Sequence, residues 1–264
     1  MARAAAAWDP AQYLRFADER LRPALDLLGR VPLEAPARVV DLGCGAGNVT
    51  AILRQRFPAA DVVGVDGSAA MLEKARTAAP DCRFEQADFF AWQPHEAPDL
   101  IFSNAALHWT DGHDALFPRL LSCLAPGGVL AVQMPAMHAT PLRLAPYELA
   151  ASARWAEHLR GVGSAPDILP AAEYWDLLRP HVASLDMWQT TYMHALAGEN
   201  AVLEWASGSS LRPFLDRLPE VARAAFGQAY ADAVRPHYPR RADGTTLLPF
   251  HRLFMVGQMP SVPV

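Results

Sequence analysis

Residues 39–48 place an acid and three alternating glycines directly after a short apolar run. The stretch reads Val39-Val40-Asp41-Leu42-Gly43-Cys44-Gly45-Ala46-Gly47-Asn48. Glycine permits positive φ and lets a ligand approach bare backbone, so this spacing is typical of a strand-to-helix turn that binds a nucleotide-like cofactor. A dinucleotide fingerprint requires G-x-G-x-x-G, and Asn48 stands where its third glycine would be. The loop therefore predicts a cofactor site and disfavours a nicotinamide dehydrogenase.

A second acid follows the glycine loop at a spacing that also carries chemistry. Asp66 lies about 20 residues further on, after the apolar run Val62–Val65. A carboxylate at that position can accept hydrogen bonds from both hydroxyls of an adenosyl ribose. The alternative is an N-terminal cap for the next helix, because aspartate is also a favoured capping residue.

Short β-rich runs and helical segments alternate from about Ala37 to Gln133. The predicted strands are Arg38–Leu42, Asp61–Val65, Cys82–Glu85, Leu100–Ser103 and Val129–Gln133, and the predicted helices are Asn48–Arg56, Ser68–Ala79 and His113–Leu124. This repetition predicts an α/β fold whose mainly parallel sheet is covered by helices on both faces. The carboxyl ends of such strands are where the candidate residues must meet.

The second half of the chain is less regular. The expected elements are a helix at Tyr147–Leu159, a loop at Gly161–Pro170, a strand at Leu185–His194, helices at Asn200–Leu211 and Pro219–Tyr238, and an antiparallel edge strand at Thr245–Val256. We expect a single domain with four parts. These are an N-terminal helical segment (1–36), a cofactor-binding core (37–134), cap helices with a late strand (135–244) and a C-terminal strand (245–264).

The composition excludes several classes of protein. The chain has 264 residues, 52% of them hydrophobic and 19% charged, with a formal net charge of −5. Such a balance gives ample apolar surface for a core and does not resemble a nucleic-acid-binding polycation. The three cysteines are far apart, which disfavours a disulfide framework or a zinc site, and we expect no metal. No apolar run approaches a membrane span and no signal-peptide pattern is present, so we expect a cytoplasmic protein. We expect it to be a monomer or a homodimer.

The glycine loop resembles the first motif of the class I S-adenosylmethionine-dependent methyltransferases, in the form Asp-Leu-Gly-Cys-Gly-Ala-Gly. More of the chain carries segments typical of a narrower group: Trp8-Asp9-Pro10-x-x-Tyr13-x-x-Phe16-x-x-Glu19-Arg20, Trp92-Gln93-Pro94, Val129–Pro135, Thr190-Thr191-Tyr192, Gly208–Pro213 and Arg252-Leu253-Phe254. With these segments the chain resembles the trans-aconitate 2-methyltransferase family. The chain departs from the family pattern around Ala136–Leu169 and at His108.

The resemblance implies a Rossmann-like fold with a seven-stranded sheet and a helical cap, and S-adenosyl-L-methionine as cofactor. Its implied cofactor-binding residues are Asp41, Gly43, Gly45, Gly47, Asp66, Met71, Asp88, Phe89 and Asn104. In this reading Asp88 receives the adenine amino group and Phe89 supplies backbone donors. Core packing for Met71 and a solvated loop position for Asp88 are the open alternatives.

The implied reaction is methyl transfer to a small carboxylate such as trans-aconitate. A carboxylic acid with a pKa near ~4 is already ionised at pH 7, so the transfer needs no general base. The enzyme then contributes orientation of the two reactants and exclusion of water. His108 is a weak candidate for a base toward a phenol or hydroxyl acceptor, and packing beside Trp109 is its other interpretation.

A polycarboxylate also needs cations for its non-reacting carboxylates, best supplied by the fork of an arginine. Arg212 is the candidate, and a structural ion pair is the alternative. The other candidate substrate-binding residues are Tyr192, His194, Trp109, Tyr147 and Trp205, although buried aromatic residues usually belong to a core.

Two alternative functions and the role of one pair of residues stay open at this stage. A methyltransferase of another small molecule, such as a phenol, an amine or a carbon acid, would use the same cofactor loop. A sensor that binds the cofactor without transferring its methyl group would also share these motifs. Tyr13 and Phe16 have helical spacing, which fits either closure over the cofactor or an ordinary packing face.

Overall fold

The computed structural model describes residues 17–162 and 168–261. Tyr13, Phe16 and part of the expected 161–170 loop lie outside the described residues. The chain forms two compact units. We call residues 20–135, 168–190 and 252–261 the sheet unit, and residues 17–19, 136–162 and 191–251 the helical unit. No helix in the described ranges is long and apolar enough to cross a membrane.

Strands and helices alternate through the first half of the chain. In order they are α1 (Ala17–Leu28), β1 (Arg38–Leu42), α2 (Asn48–Arg56), β2 (Asp61–Asp66), α3 (Ala69–Ala78), β3 (Arg83–Gln86), β4 (Leu100–Asn104), α4 (His113–Ser122) and β5 (Val129–Pro135). A 3-10 helix, Leu107–Trp109, lies between β4 and α4. The later elements are α5 (Pro141–Ala151), α6 (Ala171–Leu178), a 3-10 helix (Arg179–His181), β6 (Ser184–Ala197), α7 (Ala201–Ser207), α8 (Arg212–Leu215), α9 (Glu220–Val234) and β7 (Thr245–Gln258).

The strands form one seven-stranded sheet in the order β3-β2-β1-β4-β5-β7-β6. The pairs β1–β2, β1–β4, β2–β3 and β4–β5 are parallel, and β7 runs antiparallel to β5. The prediction of a mainly parallel sheet is confirmed. Because β1, β2, β4 and β5 run in the same direction, the loops that follow them emerge at one edge, which we call the carboxyl edge.

The expectation that residues 245–256 form an edge strand is wrong. The β7 strand is antiparallel as expected, but it lies between β5 and β6, so β6 forms that edge of the sheet. The residues of β7 from Arg252 to Gly257 are all buried, as a strand with neighbours on both sides requires. In contrast, β6 alternates between more exposed and more buried positions, which is typical of an edge strand.

The helix expected at Tyr147–Leu159 is displaced toward the N-terminus. It spans Pro141–Ala151, because a proline is well placed in the first turn of a helix and Thr140 precedes it in extended conformation. The helix ends at Ser152, whose hydroxyl donates to the Leu149 carbonyl at 2.6 Å and competes with continued helix formation.

The helical unit has its own apolar core. Phe226 of α9 stacks on Phe214 of α8, with ring centroids 5.9 Å apart, and meets Trp155 edge to face at 5.3 Å. Two buried hydroxyls connect α9 and the segment after it to α5. Tyr230 donates to the Leu142 carbonyl at 3.2 Å, and Tyr238 accepts from the Leu142 N–H at 3.3 Å. These bonds satisfy polar groups that would be costly to bury alone.

Candidate functional site

The glycine loop turns sharply at the end of β1 and lies against the segment after β4. The N–H groups of Gly43 and Cys44 both donate to the Val65 carbonyl, at 2.8 and 3.0 Å, and the Gly47 N–H donates to the Cys44 carbonyl at 3.0 Å. Gly43 has φ 82°, and a Cβ added there would lie 2.2 Å from the Cβ of Ala106. Only glycine fits this close approach.

Asp41 lies beneath the loop. Its side chain is 1% exposed, and its Oδ2 accepts a hydrogen bond of 2.6 Å from the Thr50 hydroxyl in the first turn of α2. Burial raises the pKa of the Asp41 carboxyl to about 7, although the Thr50 hydrogen bond acts in the opposite direction. The structure therefore has Asp41 supporting the loop and α2 from within, and its assignment to the cofactor stays a prediction.

Asp66, at the end of β2, forms a hydrogen bond with the glycine loop. Its Oδ2 accepts the Gly45 N–H at 2.9 Å, and its Oδ1 accepts the Ser68 N–H at 2.8 Å. The N-cap of α3 is Ser68 itself, so Asp66 is not the capping residue that the alternative interpretation required. Each carboxylate oxygen has a second lone pair that remains able to accept a ligand hydroxyl.

Gly45 faces open space beside this carboxylate. A Cβ added at Gly45 would meet no atom within 4 Å, in contrast to the crowded position of Gly43. Met71, in the first turn of α3, is buried and belongs to the core. The carboxyl edge therefore offers a bare backbone surface next to a partly exposed carboxylate, and a ribose-containing ligand fits such a cradle.

The segment after β3 is shaped by Asp88 and by an arginine that the sequence analysis did not single out. Asp88 Oδ1 accepts the Phe90 N–H at 2.8 Å, which forms a local turn. The Phe89 ring lies 3.4 Å from the position that a Cβ on Gly43 would take. Arg119 of α4 donates to the carbonyls of Phe89 and Trp92. One guanidinium thus ties this turn to α4.

The end of β4 carries backbone strain next to a polar side chain. Ala105 has φ 53°, the only positive φ of a non-glycine residue in the described ranges, and its N–H donates to the Gln133 carbonyl at 2.9 Å. The preceding Asn104 has a buried Oδ1 with no hydrogen-bond partner among the described residues. Strain of this kind tends to occur at ligand sites, so this segment belongs to the candidate site.

The 3-10 helix after β4 holds His108 and Trp109. Their rings lie 4.7 Å apart, and Trp109 is 47% exposed. His113 stabilises this turn, because its Nε2 lies 3.0 Å from the Leu107 carbonyl while its Nδ1 contacts the Tyr174 hydroxyl of α6. The Leu107 carbonyl can only accept, so His113 Nε2 carries the proton in this hydrogen bond.

The other candidate substrate residues lie in the helical unit. His194 of β6 packs against Trp205 of α7 at 4.7 Å and against Phe250 at 5.8 Å, and Tyr192 is buried on the same strand. Tyr147 meets Phe214 edge to face at 4.9 Å. Arg212 is 25% exposed, and its Nε lies 3.5 Å from Oδ2 of Asp216. The structure thus groups His194 with Trp205, and it gives Arg212 the ion pair of the alternative interpretation.

A buried polar pair at the carboxyl edge was missed. Gln133 of β5 is fully buried, and its Oε1 accepts a hydrogen bond of 3.2 Å from Nη1 of Arg252, itself 5% exposed. A glutamine inside the apolar run Val129–Met134 was the available signal, because polar side chains are rarely buried without a purpose. The described residues contain no cluster of three or more His, Cys, Asp or Glu side chains that could hold a metal ion.

Solved structures share this fold. The YcgJ protein from Bacillus subtilis matches 90% of this chain and 99% of its own, with a TM-score of 0.60 and 16% identity. A SAM-dependent methyltransferase from Thiobacillus denitrificans, solved in complex with S-adenosyl-L-homocysteine, matches 97% of this chain and 95% of its own, with a TM-score of 0.52 and 19% identity.

Sequence relatives are much closer. A family model described as a methyltransferase domain matches residues 13–193. A trans-aconitate 2-methyltransferase from Paracidovorax citrulli is 51% identical over 95% of this chain and 98% of its own length. Proteins of the same name from Methylobacterium radiotolerans and Yersinia pestis are 49% and 44% identical, over 96% and 95% of this chain and 99% and 97% of their own lengths. Because this similarity runs through the sheet unit and the helical unit alike, the chain belongs to the trans-aconitate 2-methyltransferase family.

Proposed function

We propose that this chain transfers a methyl group from S-adenosyl-L-methionine to a carboxylate of trans-aconitate or a closely related small polycarboxylate. The observation that carries the proposal is identity of 51% to a trans-aconitate 2-methyltransferase over 95% of this chain and 98% of the relative. Identity at that level without large gaps includes the elements that hold the candidate substrate residues, and not only the cofactor loop.

The carboxyl edge supports the cofactor assignment. Asp66 would accept the ribose hydroxyls, because its oxygens keep lone pairs beyond those used by Gly45 and Ser68. The bare backbone at Gly45 would let the nucleoside approach closely, and Asn104 would use its buried Oδ1 to accept a donor of the ligand. Phe89, which lies against Gly43, would provide an apolar neighbour for the adenine.

The chemistry demands orientation more than proton transfer. S-adenosylmethionine supplies an electrophilic methyl group on a sulfonium. A carboxylate acceptor is already ionised at neutral pH, so His108 need not remove a proton, and its ring can instead pack on Trp109. The residues after β4 would hold the acceptor in line with the methyl group, and the strained Ala105 fixes the direction of that segment.

Transfer of labelled methyl from S-adenosylmethionine tests the proposal. The acceptor panel contains trans-aconitate, cis-aconitate, citrate, isocitrate and several phenols, and ester formation is verified by release of the label in base. We expect strong transfer to trans-aconitate with the wild-type protein and much weaker transfer, at subsaturating S-adenosylmethionine, with the Asp66→Ala variant. Transfer to phenols alone, abolished in His108→Ala, would replace the proposal with an acceptor that needs a base. Tight cofactor binding without transfer to any acceptor would identify a sensor instead.

A further inference from the structure

We infer that the Arg252 guanidinium and the Gln133 carboxamide form a subsite that binds a ligand carboxylate at the carboxyl edge of the sheet. The inference rests on the proposed function, and it specifies which buried groups read the charge of the ligand. The two sources of such a carboxylate are the acceptor and the amino-acid end of S-adenosylmethionine.

The register of the sheet brings the polar side chains to one place. Gln133 of β5 pairs with Asn104 of β4, and Pro135 of β5 pairs with Arg252 of β7. Residues two apart on a strand share a face, so Gln133 and Pro135 lie on one face together with their partners. Arg252 and Gln133 therefore lie on the face that also carries Asn104, beside the carboxyl ends of β4 and β5.

The donors in this pair match a carboxylate. Gln133 accepts a hydrogen bond from Arg252 through its Oε1. The Nε2 hydrogens of the same carboxamide point away from the guanidinium. Gln133 Nε2 is buried and has no hydrogen-bond partner among the described residues. An amide N–H and a guanidinium are both donors, and a guanidinium binds the two oxygens of a carboxylate with two parallel bonds. A carboxylate of a bound ligand would accept a hydrogen bond from Gln133 Nε2 and so satisfy this buried donor.

A purely structural role explains the pair less well. A buried charge and a buried amide cost free energy that an apolar pair of similar volume would avoid. The rest of β5 from Val129 to Met134 is apolar and buried, so Gln133 is the exception in its strand.

The test combines two conservative variants with ligands that lack one carboxylate. Arg252→Lys keeps the charge and removes the fork, and Gln133→Leu removes the amide while keeping an apolar side chain of similar size. Arg54→Lys and Gln258→Leu are matched controls, because both side chains donate to backbone carbonyls elsewhere, at Ala60 and Gly127. Thermal unfolding of each variant verifies that it is folded before binding is measured.

The acceptor arm compares trans-aconitate with a dicarboxylate analogue that lacks one non-reacting carboxylate. The cofactor arm compares S-adenosylmethionine with its decarboxylated form. In one of the two arms, each variant should weaken the carboxylate-bearing ligand roughly 10- to 100-fold and leave the analogue almost unchanged. The arm in which this occurs identifies the source of the carboxylate, and the controls should behave as wild type in both.

Equal losses for the complete ligand and its analogue in both arms would overturn the subsite, since the pair would then act only on the fold. Unchanged affinities in both arms would overturn it as well. The proposed function fails separately, if the wild-type protein transfers no methyl group to trans-aconitate. In that case the cofactor arm still decides whether the pair reads a carboxylate.

Discussion

Asp41 and Asp66 stand at the ends of two neighbouring strands, yet their surroundings give them different tasks. Asp66 is partly exposed and accepts two backbone N–H groups at the surface of the cradle. Asp41 is enclosed and has one hydroxyl donor, so its charged form is disfavoured. The sequence predicted both acids at the carboxyl edge, but it could not separate them, because burial depends on the packing of α2 over the loop.

Replacing Asp66 with alanine should weaken S-adenosylmethionine binding by roughly 1.5–3 kcal/mol, since hydrogen bonds to a charged acceptor are lost. Titration calorimetry measures the change. Asp61→Ala is the matched control, because Asp61 begins the same strand and forms an exposed ion pair with Arg83. Equal affinities for the Asp66→Ala variant and the wild type would remove Asp66 from the ribose site.

Asp41→Asn should make the stability of the protein less sensitive to a rise in pH from about 4 to about 7. The pKa of Asp41 is about 7 in the folded protein, raised from 3.8, so its stabilising contribution is complete below about pH 4 and is lost as the pH rises through 7. Asparagine keeps an acceptor for Thr50 and cannot ionise. The difference in unfolding free energy, variant minus wild type, should therefore increase by on the order of 3 kcal/mol between pH 5 and pH 8.

Chemical denaturation at several pH values measures this difference, and other titrating groups cancel because both proteins share them. A difference that does not change with pH would mean that the Asp41 carboxyl is ionised in the folded protein throughout the range, as it is in the unfolded chain.

Arg212→Ala should raise the KM for the acceptor and leave S-adenosylmethionine affinity intact, if this side chain contacts a substrate carboxylate as well as Asp216. Arg223→Ala is the control, because Arg223 donates to the Leu218 carbonyl in the same unit. Steady-state kinetics with each substrate varied in turn make the distinction. An unchanged acceptor KM would leave Arg212 as a structural partner of Asp216 only.

Among the elements, the strands of the sheet unit were the most predictable part of the fold. The run Arg38–Leu42 was predicted and found with the same bounds, because a short apolar run between turn residues has few alternatives. Helix α6 was missed, since it lies in a stretch rich in alanine and proline. Its buried residues Tyr174 and Leu178 are stabilised by tertiary packing against α4, which the local sequence does not show.

The register of β7 against β5 was the feature that sequence reasoning could not supply for the site. Arg252 was part of a recognised motif, and Gln133 stood out as polar in an apolar strand. Their contact depends on which residues pair across two strands that are more than a hundred positions apart in the chain. Non-local pairing of this kind is set by the whole sheet, and no local pattern encodes it.

The glycine loop offers a comparison between two alanine substitutions. Gly43→Ala combines positive φ with a Cβ only 2.2 Å from Ala106, whereas Gly45→Ala meets open space at φ 53°. We expect Gly43→Ala to cost about 3 kcal/mol or more of unfolding free energy and Gly45→Ala about 1 kcal/mol. Gly45→Ala should nevertheless reduce cofactor affinity, because its methyl group would occupy the cradle.

Denaturant titration of the two variants beside the wild type measures the stability effect, and calorimetry measures the affinity. Equal destabilisation by the two substitutions would contradict the crowding at Gly43, and unaltered affinity in Gly45→Ala would move the cofactor away from this backbone.

At the scale of the whole molecule, the negative net charge of the protein repels the proposed polyanionic acceptor. The formal net charge is −5, so a polyanionic acceptor must be attracted by local cations rather than by the protein as a whole. Buried or partly buried pairs are screened less by salt than surface charges. The KM for trans-aconitate should therefore stay level or fall as NaCl rises from about 0.05 to about 0.3 M.

Initial rates at fixed pH over that range measure the salt dependence, with sodium sulfate as a second salt to separate ionic strength from competition by chloride. A steep rise of KM with salt would mean that exposed surface charges attract the acceptor, and would direct attention away from Arg252.

The contact between Gly43 and Ala106 also limits the order in which this loop can change during evolution. The two positions share room for a single methyl group, and Ala106 holds it in this chain. A lineage that acquired alanine at 43 first would pass through a poorly folded intermediate, whereas one that first acquired glycine at 106 would find the second step less costly. The cost in stability of alanine at 43 thus depends on which residue already occupies position 106.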